Sequence, residues 1–254
     1  MTLQPDISTI SGQCDNMIPK IIHYCWFGGG EMPQMAKDCI ATWHKYMPDW
    51  EYKLWNEDNF DVNCAPYVKE AYEAKKFAFV SDYVRLFALY SEGGIYLDTD
   101  VEVFKSFSDV LSHQAFIGYE GSKHLPLGTC VIGSAPGGKW IGGQIRRYQD
   151  RHFIDASGQM DMTTNVQFIT ADMIDKGLIC DGRETDLYGI HIFPVEYFSP
   201  RRTTGEYIVT ENTYCDHHFM GSWSDGKNPV SLLLKIFPVK WRVGMIKLKR
   251  KILG

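Results

Sequence analysis

The chain has 254 residues, of which 44% are hydrophobic and 14% aromatic, enough to bury the core of one large domain. The formal charge of -5 hides a basic stretch near the C-terminus, no nucleic-acid partner is expected, and no run approaches the roughly 18 apolar residues of a membrane-spanning helix. The seven cysteines are scattered and never form a C-x-x-C pair, which argues against a disulfide framework or zinc site and for a reducing compartment. The opening MTLQPDISTISGQCDN lacks the basic-then-apolar plan of a secretory leader, so the expectation is a cytoplasmic protein.

In chain order, IPKIIHYCWF (residues 18 to 27) reads as a buried strand ending in Gly28, Gly29 and Gly30. Pro33 suits the first turn of a helix to about Tyr46, and WEYKLWN alternates as a second strand would. Strand, helix, strand opens a parallel sheet. Pro66 to Lys76 and Ala78 to Glu92 read as helices, the second stopped by Gly93-Gly94. Ile95 to Leu97 is a short buried strand running into Asp98-Thr99-Asp100, after which alternation resumes in V-E-V. Further strands are expected at Ala115 to Tyr119, Cys130 to Gly133 and Ile190 to Val195, with helices at Ile141 to Arg151 and Val166 to Lys176. Ligands of open α/β sheets sit at the carboxyl ends of strands. Two such ends stand out, Trp26 to Gly30 and Asp98 to Asp100.

An Asp-x-Asp triplet is common by chance, but here it terminates an apolar strand. Two like charges in a partly desolvated place are unfavourable unless a cation compensates them. Hard oxygen ligands favour Mg²⁺ or Mn²⁺, which commonly bridge carboxylates to substrate phosphates. Asp82 and Arg85 share a helix face, and their helix leads through the two glycines into the acidic strand end. His217 and His218 offer imidazole, while Ser222 and Trp223 offer hydrogen-bond donors.

Three ordered blocks, IPKIIHYCWFGG, FVSDYVRLFALYSEGGIYLDTDVEV and HHFMGSW, resemble the family 32 glycosyltransferases. That family contains capsular and lipopolysaccharide sugar transferases and the yeast initiating mannosyltransferase, and is related to the large glucosylating toxins. The resemblance implies an α/β fold of GT-A type: a Rossmann-like nucleotide-sugar-binding domain with a mixed central sheet and helical additions. It also implies a nucleotide-diphosphate sugar donor, a divalent cation and transfer with retention. By motif position it gives the cation to Asp98 and Asp100 with His217 or His218, and the donor sugar and ribose to Asp82 and Arg85. It gives the base to Trp26, supporting donor contacts to Ser81 and Tyr96, and diphosphate contacts to Ser222 and Trp223. The T-G-P segment of many relatives is replaced by Thr163-Thr164-Asn165, which leaves the acceptor side open.

Residues 235–254 carry Lys235, Lys240, Arg242, Lys247, Lys249, Arg250 and Lys251 among large apolar residues and no acid, as an interfacial helix on anionic lipid would. The expected organisation is an N-terminal extension (1–17), a catalytic domain (18–234) and a basic amphipathic tail (235–254). The expected activity moves a hexose from a nucleotide sugar, preferably a UDP-sugar, to a saccharide acceptor. A lipid-linked glycan of surface polysaccharide synthesis at the inner face of the cell membrane would suit the tail. Competing readings are a metal-dependent nucleotidyltransferase or pyrophosphatase, which also wants paired carboxylates, and a non-catalytic sugar-binding or membrane-docking module.

Overall fold

The computed structural model describes residues 17–121, 125–201 and 206–220. The fold is α/β, as expected, around one mixed sheet of seven strands. The strands are β1 (Ile21–Cys25), β2 (Glu51–Trp55), β3 (Gly94–Leu97), β5 (Ala115–Tyr119), β6 (Leu127–Ser134), β7 (Thr185–Leu187) and β8 (Ile190–Phe193). A separate ribbon pairs β4 (Val101–Val103) with β9 (Cys215–His217). The sheet order is β2-β1-β3-β6-β5-β8-β7. Strand β1 runs parallel to both β2 and β3, β6 runs antiparallel to β3 and β5, and β8 runs parallel to β5.

The helices are α1 (Gln34–Tyr46), α2 (Pro66–Glu73), α3 (Phe77–Glu92), α4 (Lys139–Arg146), α5 (Asn165–Asp175) and the short α6 (Val195–Phe198). They divide the core between two faces. Side chains of α2, α3, α4 and α5 join one buried cluster, while Trp43 of α1, the ribbon and Phe198 of α6 join the other. Strands β3 and β6 are buried along their whole length because both faces are covered, which is why they read as continuous apolar runs. Trp43 ties α1 to the ribbon by donating its indole N–H to the Val101 carbonyl at 2.7 Å.

Two details position the site. Between α3 and β3 the chain reverses through Gly93 and Gly94, with φ of 68° and 106°. A Cβ on Gly94 would lie 2.6 Å from the Ile21 carbonyl oxygen, so only glycine lets β3 dock this closely on β1. Buried His23 locks the same turn: the Trp55 indole N–H donates to its Nδ1 at 3.1 Å, leaving Nε2–H to donate to the Gly93 carbonyl at 2.7 Å. Secondly, pairing of β5 with β6 slips after Ile117, so that Gly118 lies opposite Gly128. The extra residues of β6 bend Thr129 and Cys130 toward the end of β3.

The expected helix from Ile141 to Arg151 closes at Arg146. Past it the N–H groups of Arg147, Tyr148 and Gln149 bond three residues back in tighter turns, and Tyr148 is fully buried, edge-on to Tyr67 and with its hydroxyl on Asn165. Three-residue strands β7 and β9 are too short to leave a periodic signal.

Candidate active site

The acidic triplet is a turn. Asp98 donates its backbone N–H to the Cys130 carbonyl at 2.9 Å, and Val101 N–H returns to the Asp98 carbonyl at 3.0 Å, closing a four-residue reversal from β3 into β4. That reversal sets both carboxylates at the carboxyl end of β3. Trp26 follows the parallel neighbour β1 at the same sheet edge.

Behind Asp98 stands Arg85, 2% exposed. One of its terminal nitrogens lies 3.2 Å from Asp98 Oδ1 and 3.3 Å from Asp82 Oδ1, and the other donates to the Thr129 carbonyl at 2.7 Å. The guanidinium sits over the Tyr96 ring at 4.5 Å, and the Tyr96 hydroxyl donates to Asp98 Oδ1 at 3.0 Å. Arg85 Nε reaches the Ser81 carbonyl at 3.3 Å, while the Ser81 hydroxyl bonds back to Phe77 in its own helix. Asp82 is completely buried. It accepts from the Asn165 backbone N–H at 2.9 Å, and the Asn165 side chain donates to the Asp82 carbonyl at 2.7 Å. The Thr163-Thr164-Asn165 segment thus begins α5 with a Thr164–Gln167 capping box and fastens the helix start to α3.

In front of the turn, the ribbon register opposes Val101 to His217 and carries the histidine pair to the acids. His217 Nε2 lies 3.4 Å from Asp100 Oδ1. His218 faces elsewhere, with Nε2 3.0 Å from Glu102 Oε2. The strand then turns back over Asp100: His218 N–H donates to its carbonyl at 3.0 Å, and Met220 N–H to its Oδ2 at 2.7 Å. Phe219, in this turn, has φ of 50° and lays its ring 4.0 Å from that of His217.

Trp26, half-buried, donates its indole N–H to the Gly30 carbonyl at 2.6 Å and so closes the triple-glycine loop. A Cβ on Gly28 would meet the Phe77 ring at 2.3 Å, whereas Gly29 and Gly30 face open space. Gly28 is thus required by packing within the chain. Ser222, Trp223 and the tail 235–254 lie outside the described residues.

Burial lifts the Asp82 carboxyl to about 6 against the opposing pull of Arg85 and the Asn165 N–H. Burial would lift Asp100 as well, but the His217 ring facing it and the Met220 N–H hold it down at about 2. Burial works to discharge His217, and Asp100 overrules it and raises the ring's pKa well above its usual range. Two groups here escaped a reading of the sequence. Glu120, just after β5, is largely shielded and its carboxyl is pushed up by desolvation; it and Cys130 of β6 both lie beside His217. An acid ending an apolar strand, as in Asp98, was the available signal for Glu120.

Carboxylate oxygens of Asp98 and Asp100 and a ring nitrogen of His217 all lie within 4.8 Å of one another. Two hard carboxylates and one imidazole suit Mn²⁺ or Mg²⁺, so the residues present fit such an ion.

Fold and site together define an α/β protein that gathers acids and an imidazole at the carboxyl end of a central strand, the place where this architecture presents phosphorylated ligands. Residues 33–117 match the family described as "Glycosyltransferase sugar-binding region containing DXD motif". Among curated proteins, "Inositol phosphoceramide mannosyltransferase 3" of Schizosaccharomyces pombe is 34% identical over 108 residues, 39% of this chain and 29% of that protein. "Inositol phosphoceramide mannosyltransferase 2" of the same yeast is 31% identical over 142 residues, 53% of this chain and 39% of that protein. "Mannosyl phosphorylinositol ceramide synthase SUR1" of Saccharomyces cerevisiae is 28% identical over 140 residues, 53% of this chain and 35% of that protein. The chain thus spans well under half the length of these relatives. Among solved structures, "PaToxG Glycosyltransferase" aligns with TM-score 0.43 at 19% identity, covering 51% of this chain and 60% of that one. The galactosyltransferase LgtC, solved with donor and acceptor sugar analogues, aligns with TM-score 0.39 at 11% identity, covering 70% of this chain and 74% of that one.

The Asp82 carboxyl gives a pH test. With a folded value of about 6 and an unfolded one of about 3.9, its stabilising contribution is complete at low pH and is lost as pH rises through 6. Relative to Asp82→Asn, the wild type should lose on the order of 2 to 3 kcal/mol between about pH 4 and about pH 7 in urea titrations. A stability difference flat across that window would contradict the assigned burial of the charge.

Proposed function

We propose that the chain is a retaining hexosyltransferase that takes its sugar from a nucleoside diphosphate donor and passes it to a saccharide acceptor. The observation that carries this reading is the convergence of Asp98, Asp100 and His217 at the end of β3. Asp98, Asp100 and His217 would hold a Mn²⁺ or Mg²⁺ ion. When bound, that ion offsets the negative charge that grows on the departing diphosphate.

The chain's own residues do the rest. Arg85 and the Tyr96 hydroxyl fix one oxygen of Asp98, so the carboxylate, 24% exposed, is held in one orientation toward the cleft. Arg85 is retained in its charged form because Asp98, Tyr96 and Asp82 outweigh the cost of its burial. Asp82 and Arg85 orient the donor sugar chiefly by holding Asp98; for Asp82 to touch the sugar, Asn165 would have to move off it. Trp26 supplies an aromatic face for the base, for which uracil is our preference, and Ser222 and Trp223 are assigned to the diphosphate oxygens. The acceptor hydroxyl attacks the anomeric carbon from the face the diphosphate leaves. The C–O bond to the phosphate breaks, the new glycosidic C–O bond forms, and the leaving phosphate oxygen takes the hydroxyl proton. No side chain becomes bonded to the sugar.

The curated relatives are named for mannose transfer to inositol phosphoceramide. A mannosyl donor and a glycolipid acceptor therefore join the UDP-hexoses and lipid-linked glycans among substrates to try. Among the described residues no helix is long and apolar enough to cross a membrane. Contact with a lipid-borne acceptor is assigned to the basic tail 235–254.

Calorimetric titration with UDP- and GDP-hexoses, with and without Mn²⁺, should find one donor whose affinity rises with the ion. Asp100→Asn should weaken that donor at least tenfold, about 1.4 kcal/mol, to its metal-free level. Equal affinity in both proteins would remove Asp100 from the site. Deleting residues 235–254 should abolish co-sedimentation with phosphatidylserine vesicles at low salt; undiminished sedimentation would exclude the tail as the docking element.

A further inference from the structure

Glu120 has no part in the chemistry above, and three features show that the fold makes room for it. The slip between β5 and β6 sets Tyr119 opposite Leu127 and Gly118 opposite Gly128, at the end of β5 from which Glu120 projects. Gly128 leaves its Cβ space to this side chain, since a methyl there would stand 2.7 Å from Glu120 Oε2. Glu120 backbone N–H is used by the Pro126 carbonyl at 2.9 Å, so the side chain is fixed from a paired strand end. A carboxylate placed this way costs desolvation unless it has a partner.

Its partner is at hand. His217 presents Nε2 to Asp100 and buries Nδ1, which makes no hydrogen bond of ordinary length; Glu120 and the Cys130 thiol are the groups beside the ring. Glu120 Oε2 is 4.0 Å from that nitrogen. A histidine that gives Nε2 to a cation must carry its proton on Nδ1, and that N–H needs an acceptor that fixes ring tilt and tautomer. We infer that Glu120 is a positioning residue whose carboxylate accepts the Nδ1–H of His217 and so aims Nε2 at the cation site between Asp98 and Asp100. The inference rests on the proposed cation site. It adds a carboxylate–histidine–cation relay in which Glu120 never touches substrate or ion.

The test uses the full chain and Mn²⁺ alone, read by electron paramagnetic resonance of the free ion and by the Mn²⁺-induced rise in melting temperature. Glu120→Ala should weaken Mn²⁺ by about 10- to 100-fold, the usual effect of removing an outer partner of a ligating histidine. Glu120→Gln keeps an acceptor oxygen and should recover part of that loss. In a His217→Ala background Glu120→Ala should have no further effect on Mn²⁺. Unchanged Mn²⁺ affinity in Glu120→Ala, or an equal loss with and without His217, overturns the inference while leaving the cation site standing if Asp100→Asn still weakens Mn²⁺. Should Asp100→Asn leave Mn²⁺ affinity unchanged too, the cation site itself has failed and the inference goes with it.

Discussion

One buried guanidinium organises the proposed catalytic end of the molecule. Arg85 spans Asp82 on its own helix, Asp98 at the end of β3, the Thr129 carbonyl on β6 and the ring of Tyr96. It therefore ties one helix and two strands to one charge. A buried cation shared between two acids is costly to desolvate and gains its place only through near-complete pairing. That constraint explains why Ser81, Tyr96 and Thr129, otherwise unremarkable residues, all turn a polar atom or a ring toward it.

The charge count around this centre carries the functional reading. Asp82, Asp98, Asp100 and Glu120 face one permanent cation, Arg85, and a histidine that is charged only while no ion takes its Nε2, so the carboxylates outnumber the positive charges in either case. Burial raises Asp82 and Glu120, as expected of acids that lack enough counter-charge, while Asp100 is held ionised by His217. A bound dication would supply positive charge the cluster lacks, at the place where Asp98 and Asp100 converge with His217. The ribbon of β4 and β9 is what closes this arrangement. It brings a residue from beyond position 210 against the acidic turn, and Met220 folds back on Asp100 to hold it there.

Much of this was legible in the sequence because it is local. The apolar run of β3 stopping at Asp98, the helix carrying Asp82 and Arg85, and the glycine pair between them are read from neighbouring residues, and the structure sets them side by side. The choice between His217 and His218 was not legible, since alternation across a three-residue strand decides it and only pairing with Val101 fixes which histidine turns inward. Glu120 and Asn165 escaped because their partners are distant in sequence: 97 positions separate Glu120 from His217, and Asn165 meets Asp82 across 83. Gly28 shows the opposite error of emphasis. It lies in a strand end marked out for ligands, yet the space beside its Cα is filled by Phe77 of the chain itself.

The most direct measurement is anomalous diffraction at the manganese edge from a crystal soaked with Mn²⁺ and a nucleoside diphosphate. A single strong peak bounded by Asp98, Asp100 and the Nε2 side of His217 is expected, with diphosphate oxygens completing its surroundings. No anomalous density there, with His217 still paired to Asp100 and the nucleotide bound elsewhere, would contradict it.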